Sequence, residues 1–185
     1  LTHASDEKLT GLVPLLDRYT IKQIVAPDVT RNNATARQWR ELVTQKVLPM
    51  QTAFAGLQLD LGDGVTLEVE QVGKEDEGLT LRLRYGAFSI YFDSDDEKFA
   101  KPGDGALIWK VARHGDGQAA RAEVMQTLAP QFAAISVGVN NREGDPAAKT
   151  LARLSDGGVI VYRTDERGTV TFSSDGKQLW VETTR

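Results

Sequence analysis

The sequence predicts a mixed α/β or α+β fold, on three observations. Apolar residues recur with helical spacing in some segments and with period two in others, with Gly and Asp clusters between them. The period-two segments crowd into the middle of the chain, as antiparallel strands do. There is no internal repeat and no linker long enough to divide domains, so a single domain spanning 1–185 is expected.

Taken in order, residues 6–19 place Leu9, Leu12, Val13, Leu15 and Leu16 at helical spacing. Asp6 and Glu7 fall in the first turn, where carboxylates complement the helix dipole. Pro14 lacks an amide donor and is expected to kink or shorten that helix. Residues 21–26 read as a short strand ending at Pro27. Residues 33–46 read as a second helix with Trp39, Leu42 and Val43 inward, capped by Asn32 or Asn33.

Three strands are expected at 65–72, 79–85 and 87–92, the last two a hairpin around Tyr85-Gly86-Ala87. Residues 106–112 read as a buried strand, 118–128 as a helix and 132–138 as a strand. Residues 145–154 read as a helix with Pro146 in its first turn. The chain then predicts strands at 159–163, 169–173 and 178–182, with Ser174-Asp175-Gly176 as a hairpin turn. Gly62-Asp63-Gly64 reads as a turn before a strand; with no helix following, it is no phosphate loop.

Composition narrows the function classes. The 185 residues are 41% hydrophobic and 26% charged, with a formal net charge of -4. Binding of nucleic acid over the whole surface is disfavoured, because phosphate contact needs clustered Lys and Arg. With no cysteine, disulfides, Cys-ligated zinc and thiol nucleophiles are excluded. No apolar run approaches the roughly 20 residues of a membrane-spanning helix. Opening on Leu1 without a leader pattern, the sequence reads as a piece of a longer protein or a processed product.

Four collinear stretches carry a resemblance. The opening LTHASDEKLTGL is similar to a strand-to-helix motif LTHPHADHIGGL. LQLDLGDGVTLE from Leu57, followed by LTLRLRYGAFSIYFDSD, resembles a hairpin that ends in a TGD turn. WKVARHG from Trp109 is similar to KVPHHGS, and ISVGVNNREGDP from Ile135, with LARL, VYRTDERGTVTFSSDG and LWV, is close to a C-terminal run. Together they resemble the metallo-β-lactamase domain of ComEC-type competence proteins, in its C-terminal portion. The resemblance implies an αββα two-sheet sandwich with outer helices, lacking its N-terminal strands. An apolar sheet surface and an edge would then be left exposed. It also implies that the segment, itself soluble, belongs to a larger membrane-associated DNA-uptake protein, with the rest of that protein and single-stranded DNA as partners.

Hydrolysis in that fold rests on clustered His and Asp that hold one or two zinc or manganese ions and activate a water. In the resemblance, His3 matches the first ligand, while Ser5 and Lys8 stand where two histidines belong and Glu7 stands for the Asp. Asp95 matches the bridging Asp, with Asp93 and Ser94 in place of Thr and Gly. His114 matches one histidine of a pair whose other member is Arg113, and Asp145 and Ala147 occupy histidine positions of a later loop. The residual ligand candidates are therefore His3, Glu7, Asp95 and His114. Lys8 and Arg113 are expected to put cations where metals would sit, repelling them. Losing even an outer partner of a ligand costs roughly 10–100-fold in metal affinity. The loop Asn140-Asn141-Arg142 to Asp145 leads from strand to helix and is expected to line the cleft.

The leading expectation is a non-catalytic domain without a cofactor. The alternative is a metal-dependent hydrolase, a phosphodiesterase or nuclease acting on DNA through a reduced single-metal site. A third possibility is a binding module for a small ligand in the old cleft. Ordinary accounts stand beside several residues. His3 and His114 would serve as structural histidines at strand ends or turns. Asp93 to Glu97 would form a solvated helix start, Arg82 and Arg84 an exposed sheet face, and Trp109 and Trp180 core.

Overall fold

The computed structural model describes residues 1–3, 5–29, 32–73, 78–94 and 105–185, without the side chain of Glu7. By its contacts the chain forms two compact units. One is Leu1–Leu57 with Val69–Thr80, the other Gln58–Glu68 with Leu81–Arg185.

The first unit is built on α1 (Asp6–Arg18) and α2 (Ala34–Gln45), with β1 (Ile24–Ala26) and β2 (Met50–Thr52) paired in parallel. α1 buries Leu9 and Leu16, seven residues apart, which is two helical turns and hence one face. Leu12 and Val13 pack beside them, while Leu15 lies outside this stripe and is partly exposed. Pro14 does not end the helix: it is exposed and the helix runs on to Arg18. α2 is capped by Asn33, whose side-chain oxygen accepts the Ala36 amide at 2.8 Å. Ala36, Trp39 and Val43 then meet Leu9, Leu16, Ile24 and Ala26 in one apolar cluster.

The second unit carries most of a mixed sheet. Among the described residues this sheet has seven strands in the order β3 (Gln58–Gly62), β4 (Val65–Val72), β5 (Leu79–Tyr85), β6 (Phe88–Phe92), β7 (Ile108–Lys110), β8 (Phe132–Ile135) and β9 (Ile160–Arg163). The β3–β4 and β5–β6 pairs are antiparallel hairpins, whereas β6 through β9 run parallel. Parallel neighbours need crossovers, and helices supply them. α3 (Ala122–Leu128) joins β7 to β8, and α4 (Ala148–Asp156) joins β8 to β9. Tyr91, Trp109, Ala133 and Val161 stand in one register row across these strands. They pack with Val124, Leu128 and Leu154 from the two helices as the core of this unit. The next row, Ile90, Ile108, Phe132 and Ile160, points to the opposite face, because side chains alternate along a strand. A one-turn helix α5 (Thr164–Arg167) and the hairpin β10 (Val170–Ser174) with β11 (Leu179–Thr183) complete the chain.

The fold is thus mixed α and β with a large sheet, as expected. Several expectations need correction. β2 and β3 were not anticipated; both strands are short and largely exposed, so neither shows a strong apolar alternation. The helix expected from 118 begins at Ala122, because Asp116 accepts the amides of Gln118 and Ala119 and holds a turn there. Pro146 precedes α4 rather than entering its first turn. Trp180 is not core: it is 47% exposed on the outer side of its hairpin. Arg82 does not lie on an exposed face. It is fully buried, with its guanidinium 5.1 Å from the Tyr91 ring centroid and donating to the Gly105 carbonyl at 2.8 Å. Arg84 is half-buried. Asp93 starts no solvated helix either; it is buried and accepts the Trp109 indole N–H at 3.1 Å. Residues 95–97 of that acidic run lie outside the described residues.

Candidate functional site

His114 sits on a tight turn directly after β7. Arg113, His114 and Gly115 all have left-handed backbone, with φ of 44°, 52° and 77°. Non-glycine residues rarely adopt this region, and each costs about 1–2 kcal/mol relative to the ordinary helical one. Gly115 is required twice over. Its φ favours glycine, and a Cβ there would come within 2.8 Å of the Pro146 Cβ and 3.3 Å of Ile135.

The turn fixes the imidazole. The Nδ1 of His114 is 2.6 Å from the Ser136 carbonyl oxygen. A carbonyl only accepts, so Nδ1 carries a proton, and in the neutral ring the lone pair is then on Nε2. The ring is exposed, and that lone pair can accept a proton or a hydrogen bond or meet a cation. A metal-binding histidine is set up in this manner, with one nitrogen held by a carbonyl and the other presented. Arg113, beside it, turns its guanidinium to Asp116 at 3.3 Å within the same turn.

The loop 138–147 is organised by Asn141. Its side chain donates to the carbonyls of Gly138 (3.1 Å) and Asp145 (2.7 Å) and accepts the Asp145 amide at 2.9 Å. Asn141 therefore holds the loop shut on itself, an Asx-type role. Asn140, in left-handed backbone, and Arg142 are exposed, and Asp145 is half-buried. Thr164 ties the start of the loop to α5, accepting the Val137 amide at 2.8 Å and donating to the Val137 carbonyl at 2.7 Å. Next to it Arg163 makes a two-pronged contact with Asp165 (3.1 and 2.6 Å) and a further bond to Glu166 at 2.9 Å. The Arg163 hydrogen bond holds the Asp165 carboxyl below its usual range, and Asp165 in turn raises Arg163.

His3 belongs to the first unit. It is half-buried, with Nδ1 3.4 Å from the Thr2 hydroxyl, and its ring lies over Gly78. A Cβ at Gly78 would fall 2.2 Å from His3 Nε2, so any other residue there would displace the ring. The Leu79 amide donates to the Thr2 carbonyl at 2.9 Å and anchors the segment. Ser5 is the N-cap residue of α1, and Lys8 is exposed on that helix. The side chain of Glu7 and the whole of Asp95 lie outside the described residues.

Within each unit, among the described residues, no three His, Asp or Glu side chains converge. The donor set that the resemblance implies for zinc or manganese does not fit two ions. Ser5, Lys8 and Arg113 stand at three histidine positions, and two of them carry the wrong charge. Asp116, Ser136 and Thr164 escaped sequence reading. Their roles are carbonyl acceptance and local bridging, which leave no signature in residue type.

The fold and site together define a mixed α and β chain that presents one preorganised imidazole from a strained turn. No protein-family model matches it. A curated relative, ComE operon protein 3 of Bacillus subtilis (strain 168), is 26% identical over 185 residues, covering 93% of this chain. The chain spans 24% of the length of that relative. Among the described residues, no helix is long and apolar enough to cross a membrane.

Proposed function

We propose that this chain is a non-catalytic domain of a DNA-uptake protein, with the metallo-β-lactamase architecture and an eroded metal site. Its likeness to ComE operon protein 3 along 93% of the chain supports the uptake context. The donor set supports the loss of two-metal chemistry: cationic Lys8 and Arg113 cannot ligate, and Ser5 is a poor substitute for imidazole. The sheet supports the sandwich. The face opposite α3 and α4 is apolar: Leu83, Tyr85, Phe88, Ile90 and Ile108 line a cleft whose other side is Phe172 and Leu179 of the β10–β11 hairpin, so strands already begin a second layer there. The domain acts by structure and partner contact within a larger membrane-associated protein, and any contact with single-stranded DNA is made by local Arg and Lys.

The single observation that carries this proposal is the alignment with that relative beside a ligand set in which Ser5, Lys8, Arg113, Asp145 and Ala147 replace expected histidines. Complementation tests it. A host lacking the coding segment should lose uptake of labelled DNA, and a His3→Ala/His114→Ala double variant should restore it fully. A double variant as deficient as the deletion would contradict a non-catalytic role.

A hydrolase with a single metal that takes His114 as a ligand is a second reading, favoured by one observation, the Nδ1–H of His114 held by the Ser136 carbonyl. Elemental analysis after incubation with excess zinc or manganese separates the two. Near-stoichiometric metal, lost in His114→Ala, would favour the hydrolase.

A further inference from the structure

We infer that Arg153 and Thr150 of α4 are positioning residues for His114, holding its strained turn from behind and so setting which nitrogen of the imidazole is presented. The inference stands whether or not the chain acts in DNA uptake.

The segment from Asp116 to Arg121 is neither helix nor strand: the Asp116 carbonyl accepts the Ala119 amide at 3.0 Å, but those of Gly117, Ala119 and Ala120 have no ladder to join. Ala119 and Ala120 are fully buried, where water cannot serve them. Two side chains meet the need. The Arg153 guanidinium donates to the carbonyls of Gly117 (3.2 Å), Ala119 (2.5 Å) and Ala120 (3.0 Å), and to the Thr150 hydroxyl at 3.0 Å. That hydroxyl donates onward to the Asp116 carbonyl at 2.5 Å, and Thr150 is completely buried. A planar guanidinium has five donors in a fixed fork, which suits several carbonyls at once.

Asp116 links this cradle to the turn. Its carboxylate pairs with Arg113 and accepts the amides of Gln118 and Ala119, while its own amide donates to the Arg113 carbonyl at 2.9 Å. At the start of α4 the Ala147 amide donates to the Gly115 carbonyl at 2.9 Å. Residues 113–115, left-handed and costly by themselves, are thus fastened to α4 at both the Gly115 and Asp116 carbonyls. Without those attachments the turn would relax towards ordinary backbone. The 2.6 Å bond from His114 to Ser136 needs the turn, and would be lost with it.

The test is nitrogen–proton correlation of the histidine rings in the whole 185-residue chain. Wild type should show His114 protonated on Nδ1 at neutral pH. Thr150→Val keeps the shape and removes the hydroxyl, and Arg153→Ala removes the fork. In each, His114 should shift to the Nε2–H form usual for free imidazole, with the far-ultraviolet spectrum unchanged. Arg153→Lys should fall between, and Arg142→Ala, on the exposed loop, should change nothing. Folded variants that keep Nδ1–H would overturn the inference. Should the variants not fold, amide exchange in the wild type decides. Gly115, Asp116 and Ala119 should be protected within about tenfold of Leu151 in α4, as parts of one cooperative unit. Exchange about a hundredfold faster or more in the turn would equally overturn it.

Discussion

The His114 Nδ1 lies 2.6 Å from the Ser136 carbonyl oxygen, so the residue that follows strand β8 determines which nitrogen of the imidazole is presented. The bond joins a residue just past β7 to one just past β8, neighbours in the parallel sheet. A ring held in this way does not need a metal to be ordered. Its geometry can therefore outlast the loss of the other ligands.

Gly115→Ala should be the most damaging of the simple glycine substitutions near the turn. The left-handed φ and the 2.8 Å approach to Pro146 act together, for a loss of about 2–3 kcal/mol. Gly158→Ala also has a left-handed φ but meets open space, and should cost only about 1 kcal/mol. Urea unfolding midpoints compare the two.

Arg82→Ala should destabilise by about 3 kcal/mol, since it empties a buried cation site and leaves the Gly105 carbonyl short of a donor. Arg84→Ala, two residues along the strand and half-buried, should stay within about 1 kcal/mol. Equal losses at the two positions would show that the burial of Arg82 is not what distinguishes them.

Trp109→Phe keeps most of the packing and removes the indole donor to Asp93. It should cost about 1–3 kcal/mol, because the carboxylate remains buried with one partner fewer. Trp180→Phe, on the exposed side of its hairpin, should lie within about 0.5 kcal/mol.

The Arg163–Asp165 pair gives an acid-side dependence. The Asp165 carboxyl is held below the ordinary aspartate range by the Arg163 hydrogen bond. An aspartate with a depressed folded pKa contributes stability that is fully present above its unfolded value and is lost as pH falls through the folded one. Thermal midpoints of the wild type should therefore fall as pH drops below about 4, and Asp165→Asn should flatten that limb. Asp175, lowered by the Gln178 and Lys177 amides, shifts in the same direction and is the background against which the variant is read.

Where one face of an element is buried, its sequence was legible. β4 and β5 were readable to the residue, because alternating apolar side chains run between clear turn signals at Gly64 and Gly86. The stripe from Leu9 to Leu16 was readable for the same kind of reason, while the α2 cap could be narrowed only to Asn32 or Asn33, of which Asn33 is the one that accepts the Ala36 amide. β2 and β3 were not, since neither buries a full face. Arg82 misled because charge in a strand suggests solvent, and nothing in its neighbours announced that Tyr91 and Gly105 would receive it. At the site, His114 and Arg113 could be marked by resemblance. Their left-handed backbone could not, since non-glycine residues carry no sign of it, and the α4 side chains behind them lie about 40 residues away in sequence.

Cleavage of end-labelled single-stranded DNA, with excess manganese or zinc and with or without a chelator, tests the central claim most directly. The account predicts no metal-dependent cleavage above background, and no difference between wild type and His114→Ala. Chelator-sensitive cleavage that disappears in His114→Ala would contradict it.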